Sequence, residues 1–109
     1  MARLDSNQQI PALSRLPHYL GTIVATTTAE DNSTTADDFD IPAGALVVFQ
    51  PDAACYVSAE FDASAITADN ALLFGANELV TGMLWSTETK LAAKAVSGTV
   101  NVKVFLLAK

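Results

Sequence analysis

The chain is poor in the residues that small-domain chemistry draws on most. Cysteine occurs once, at Cys55, in 109 residues. No intrachain disulfide can form, which excludes the disulfide-stapled class of small secreted scaffold and fits synthesis in a reducing cytoplasm. Histidine also occurs once, at His18. A catalytic triad or a histidine-based metal site would need partners that no motif around it marks. Basic residues are scarce: six Lys and Arg stand against twelve Asp and Glu, a net charge of −6. Phosphate backbones and anionic membrane surfaces repel such a chain, so neither nucleic acid nor membrane is an expected partner. No apolar run reaches the length of a bilayer span, and the opening MARLDSNQQ holds none of signal-peptide length. No cofactor-binding motif is present, and the expectation is a protein that is not an enzyme and carries no cofactor.

What the chain does have is apolar substance. Half its residues are hydrophobic and 17% are charged, the balance of a folded domain and not of a disordered one. At this length one domain is expected, with roughly two-thirds of the unfolded surface buried. Many of the apolar residues are alanines, so the core is thin.

The apolar residues recur with a period of two. In Ile41 to Phe61, IPAGALVVFQPDAACYVSAEF, Pro42 and Gly44 mark a turn and Ala45–Gln50 reads as a strand. Pro51 and Asp52 punctuate, and Cys55–Phe61 alternates again, with Cys55, Val57, Ala59 and Phe61 on one face. We read this stretch as two strands joined by a short turn. Tyr19–Thr28 is a further strand, rich in β-branched residues. Asp37–Ile41 is a short edge strand or an extended approach. Glu78–Trp85 is another strand, in which Gly82 suggests a bulge or a close backbone approach. Ser86–Val96 suits a helix or a strand. The alternation of Leu91, Ala93 and Ala95 with Lys90, Ala92 and Lys94 favours the strand, with Ser97-Gly98 as a hairpin turn. Thr99–Leu107 is the clearest strand. Val100, Val102, Val104 and Leu106 face the core; Asn101, Lys103, Phe105 and Leu107 share the outer side. About seven short strands with regular turn signals predict an all-β antiparallel sandwich of jelly-roll type over residues 19–109.

Residues 1–18 are different. Ile10, Leu13 and Leu16 lie between or beside Pro11 and Pro17, and Leu20 continues the series. The segment is either a loosely attached end or an extended arm that packs these residues on a neighbouring subunit. The apolar end of the last strand, Phe105 and Leu107, points the same way. Together these six residues are the expected partner-binding set, and the domain is expected to form a homo-oligomer, dimer or trimer.

Other features invite chemistry and read more plainly. Cys55 has alanines and Asp52 near it, which makes a buried hydrophobe and not a nucleophile. From Glu30 to Asp62 there are eight acidic residues and no basic one. Their spacing is not that of an EF-hand, so a solvated acidic face is expected, with a basic partner surface or a cation as the alternatives. Asn32-Ser33-Thr34 fits the glycosylation acceptor pattern by chance. Trp85 with Tyr19 and Tyr56 would suit a sugar-stacking platform, the feature on which a carbohydrate-binding module would rest.

The order of phrases from Pro42 to Leu107 resembles that of small virion proteins of tailed phages. The IPAGA turn precedes a hydrophobic strand. AACYV opens the next, and ALLFGANELV, KLAAKA and SGTVNV follow in order. The resemblance covers about sixty per cent of the chain. It implies a capsid decoration or cement protein on the outside of the head, with the major capsid protein as partner and the virion exterior as location. A tail or head-fibre component is the neighbouring alternative. The resemblance carries over no catalytic or ligand residues.

Overall fold

The computed structural model describes residues 17–59, 63–84 and 89–108. The described residues form eight strands. They are β1 (His18–Ala25), β2 (Glu30–Asp31), β3 (Leu46–Pro51), β4 (Cys55–Ser58), β5 (Leu72–Phe74), β6 (Val80–Met83), β7 (Ala92–Ala95) and β8 (Val100–Ala108). One 3-10 turn, Ala63–Ala65, precedes β5. The strands make two four-stranded sheets, in the orders β1-β8-β3-β6 and β2-β7-β4-β5. All pairings are antiparallel. The pairs β1·β8, β2·β7, β3·β6 and β4·β5 nest inside one another along the chain, and β8·β3 and β7·β4 complete the sheets. This is the doubled Greek key of a jelly roll.

The core lies between the sheets and is built from the expected alternation. Val100, Val102 and Val104 of β8 are fully buried, as are Ile23 of β1 and Val47 of β3. Opposite them stand Cys55 and Val57 of β4 and Ala93 and Ala95 of β7. Small residues on the second sheet meet branched ones on the first, which lets the layers approach closely. Phe49 and Phe74 bridge the layers edge to face, with centroids 5.4 Å apart. A smaller cluster covers the outside of the second sheet, where Ala63 and Ile66 pack on Ala92.

Several expectations need correction. The stretch from Ile41 to Phe61 does not form a hairpin, because β3 and β4 belong to different sheets. Pro51 and Asp52 carry the chain across the sandwich. Asp52 is tied to β8 there, its amide donating to the Asn101 carbonyl at 3.1 Å. Ser97-Gly98 likewise passes the chain between sheets, although Gly98 has the positive φ of 65° that a tight turn demands. Of the two readings of Asp37–Ile41 the strand is the one that fails; β2 forms earlier, at Glu30–Asp31. Gly82 pairs regularly with Val47, and a Cβ there would meet nothing within 4 Å. The glycine with a close neighbour is Gly21, whose absent side chain makes room for the ring of Phe39.

The end of β8 also departs from simple alternation. Val47 pairs with Leu106 and Leu46 with Ala108, leaving Leu107 as the extra residue of a bulge. A matching shift on β1 leaves Leu20 unpaired between Tyr19 and Gly21. Each bulge breaks the period of two, so the outward faces inferred for these residues do not follow.

Candidate partner-binding surfaces

Of the expected partner-binding residues, Leu20, Phe105 and Leu107 lie on the paired strands β1 and β8. Ile10, Leu13 and Leu16 lie outside the described residues. Leu20 is half-buried and packs against the protein's own core. Leu107 is 6% exposed, so it does not stand on an open outer face. Phe105 is half-buried and meets the ring of Tyr19 edge on, with centroids 5.5 Å apart. Neither Leu20 nor Leu107 offers a neighbour much surface: Leu20 packs against the core, and Leu107, the extra residue of the β8 bulge, is buried.

Exposed apolar surface is concentrated elsewhere, on a strand to which the sequence reading assigned no role. Leu72 and Leu73 of β5 are 69% and 59% exposed, and Leu79, in the turn that follows, is 55% exposed. β5 pairs with β4 on one side and with no described strand on the other. Val57 lies opposite Leu72, and Cys55 opposite Phe74. Leu72 and Phe74 therefore take the core side, and Leu73, opposite Tyr56, takes the outside. The core side is open at this edge. An apolar groove of about 330 Å³ enters between the sheets there, lined by Val47, Phe49, Val57, Val80 and Leu84, with Leu72 among its walls. The seven residues from Ala71 to Asn77, ALLFGAN, carry no charge and no proline. Edge strands are usually blunted by such residues.

Carboxylates stand at both ends of this strand. Asp69 is exposed in the preceding turn. Glu78 folds back so that its Oε1 accepts a hydrogen bond from the Gly75 amide at 2.7 Å, directly beyond β5. Among the described residues no charged side chain lines the groove itself.

The opposite side of the molecule is closed. The Val24 amide on the free edge of β1 donates to Thr35 Oγ1 at 2.9 Å, and Phe39 from the same loop packs over Gly21. That loop is anchored by Asn32, which is 3% exposed. Its Nδ2 donates to the Phe39 and Thr89 carbonyls at 2.9 and 3.1 Å, and its Oδ1 accepts from the Leu91 amide at 2.9 Å. The acceptor nitrogen of the glycosylation pattern is thus buried and occupied. Asp31 is buried beside it; its Oδ1 accepts from the Ser33 amide, the Ser33 hydroxyl and the Thr34 amide. Within the acidic stretch, Asp37, Asp38 and Asp40 are exposed. Among the described residues no three His, Cys, Asp or Glu side chains converge as a metal site would require.

Among the described residues two titratable groups are shifted. Burial, with Asp52 nearby as a lesser cause, pushes the Cys55 thiol up to about 11, which suits a packing residue and not a nucleophile. The Asp52 carboxylate is held below its ordinary range, chiefly by the Asn101 amide and then by the Asn101 side chain. Those hydrogen bonds are 2.8 and 2.9 Å long. His18 opens β1 in an exposed position. Tyr19 and Tyr56 stand on the outer faces of different sheets, and Trp85 lies outside the described residues. The two tyrosines therefore do not share a platform.

Comparison with known proteins yields a likeness of shape alone. No protein-family model matches the chain. No curated protein matches it either. Among solved structures it is similar to a de novo designed double-stranded β-helix determined by solution NMR. The TM-score is 0.51 with 7% sequence identity, over 78% of this chain and 94% of that one. At that identity the likeness bears on the fold, and it agrees with the two-layer wound architecture.

Proposed function

We propose that this chain is a structural, non-enzymatic protein of a phage virion, which binds the outer surface of the capsid and stabilises the lattice by bridging capsid subunits. The observation that carries the reading is the charge-free edge at β5, where Leu72 and Leu73 stand exposed beside an open apolar groove. A contiguous apolar patch on a small domain is a mark of an interaction surface. The phrases from Pro42 to Leu107 supply the capsid as the setting. Jelly rolls serve in viral shells and in lectins alike, so the fold adds analogy and no more. In this reading the partner is the major capsid protein, and the chain acts as a dimer or trimer with the 1–18 arm as a second point of attachment. Each added contact on a repeating lattice raises the resistance to opening without requiring a tight single site.

Purified heads of the virus that encodes the chain test the reading. Full-length protein should co-sediment with them to saturation, and decorated heads should release DNA at a higher temperature than bare ones. Protein that stays in the supernatant at every concentration overturns the proposal. A carbohydrate-binding module would instead rest on Trp85 with Tyr19 and Tyr56 as one platform, and the two tyrosines lie on different sheets.

A further inference from the structure

We infer that the outer edge of β5 is a strand-addition site for an extended segment of a partner protein with an apolar centre and a lysine or arginine at each end. The inference rests on the binding reading above only for naming a capsid subunit as the source of that segment.

The backbone supplies the first part of the argument. β5 is the last strand of its sheet, and the backbone groups of its outer edge meet no described strand. An extended peptide laid along it would pair with those groups. The side chains supply the second part. Leu72 and Leu73 point to opposite faces, so an added strand is gripped on both: its inward residues meet Leu72 at the mouth of the groove, and its outward ones meet Leu73. Three residues make a short site, which calls for apolar residues at the centre of the incoming strand and recognition at its ends.

Charge supplies those ends. Asp69 lies three residues before β5, and Glu78 places its carboxylate at Gly75, immediately after it. Both are exposed, so each can meet a cation without a desolvation penalty. A second copy of this chain fits less well. Pairing β5 with its own copy antiparallel about Leu73 would set Asp69 beside Asn77 and Glu78 of the other copy, bringing like charges together. With a net charge of −6, copies also repel before contact.

The test uses full-length protein, labelled with nitrogen-15, and two synthetic peptides of about seven residues, the length of strand that spans from Asp69 to Gly75, where the Glu78 carboxylate sits. Both have alternating valine and threonine at the centre; one ends in lysines and the other in glutamates. The lysine peptide should shift the amide signals of residues 72–74 and bind about tenfold more tightly than the glutamate peptide at low salt. That preference should shrink as salt rises. The pair of substitutions Asp69→Asn and Glu78→Gln should abolish the preference and leave the weaker apolar binding. Leu72→Thr with Leu73→Thr should weaken both peptides. Equal binding of the two peptides, or shifts confined to other strands, overturns the inference. So does sedimentation showing a dimer whose β5 amides are already protected from exchange, which would give the edge to a second copy. Peptide binding without head binding would leave the strand site standing and remove the capsid as its source.

Discussion

Replacing Asn32 with alanine tests a buried polar anchor of the fold. The side chain makes three hydrogen bonds from a position that is 3% exposed. Alanine would leave the Leu91 amide without its acceptor, and Leu91 is itself 4% exposed. An orphaned buried donor costs about 1–3 kcal/mol. The Phe39 and Thr89 carbonyls belong to a half-buried and an exposed residue, so water can replace their donor. Each then costs about 0.5–1.5 kcal/mol, the net worth of an ordinary hydrogen bond. The sum is about 2–6 kcal/mol, a large part of the roughly 5–15 kcal/mol that holds a domain folded. Urea unfolding followed by far-ultraviolet circular dichroism measures it directly. Asn32→Asp sharpens the test. It keeps an acceptor for Leu91 and presents negative oxygen to two carbonyls, so at neutral pH it should destabilise at least as much as alanine. Its deficit should shrink in acid, where the carboxyl becomes a donor. A loss below about 0.5 kcal/mol for Asn32→Ala, the level of an inconsequential surface change, would refute the claim that this residue locks the loop to β7.

Two further outcomes follow from named contacts. Gly21→Ala drives a methyl into the ring of Phe39 and should cost about 1–3 kcal/mol, whereas Gly82→Ala, facing open space, should cost nothing; equal melting temperatures for the two variants would contradict the packing described. The Asp52 carboxylate has a lowered pKa in the folded state, so its contribution is complete above the unfolded value near 3.9 and fades as pH falls through the lower folded value. Asp52→Ala should therefore lower stability at neutral pH and converge with the native protein in acid, and a difference that stays constant across that range would count against the clamp on Asn101.

The faces of strands were legible in the sequence; their partners were not. Alternation in Val100–Val104 and in Leu91–Ala95 follows from the pleat alone and needs no knowledge of what lies opposite. It placed both segments correctly. The hairpins inferred at Pro51-Asp52 and at Ser97-Gly98 rested on turn chemistry, which reports the local bend and not the destination. At the first, the destination is set by Asn101 of β8, which both receives the Asp52 amide and donates to its carboxylate. At the second, the Val96 amide reaches the Ala54 carbonyl. Both partners lie some forty to fifty residues away, beyond any local pattern. β2 escaped notice because two residues have no periodicity, and because its neighbours Asn32, Ser33 and Thr34 read as loop while forming the most heavily bonded turn in the fold.

The same limit explains why the candidate site was missed. Leu72, Leu73 and Phe74 are too few to show a period, and nothing local says that their strand ends a sheet. What exposes them is the nesting of the pairs. β4·β5 is the innermost, and once β4 turns its other side to β7, β5 has no second neighbour among the described strands. The mirror problem arises at β1, the edge of the other sheet, and there the fold covers it: Thr35 takes the Val24 amide, Phe39 fills the space left by Gly21, and Asn32 locks the covering loop in place. One edge is thus closed by a loop that depends on buried polar bonds. The other carries three large apolar residues, no charge and no proline. Isolated exposed leucines on a surface need no explanation. Two adjacent ones on an edge that pairs with no described strand, at the mouth of a groove into the core, are a liability that edge strands ordinarily avoid by a single lysine or proline. Their presence fits an edge kept open for pairing, with the carboxylates of Asp69 and Glu78 at its ends disfavouring the chain's own copies and favouring a cationic strand.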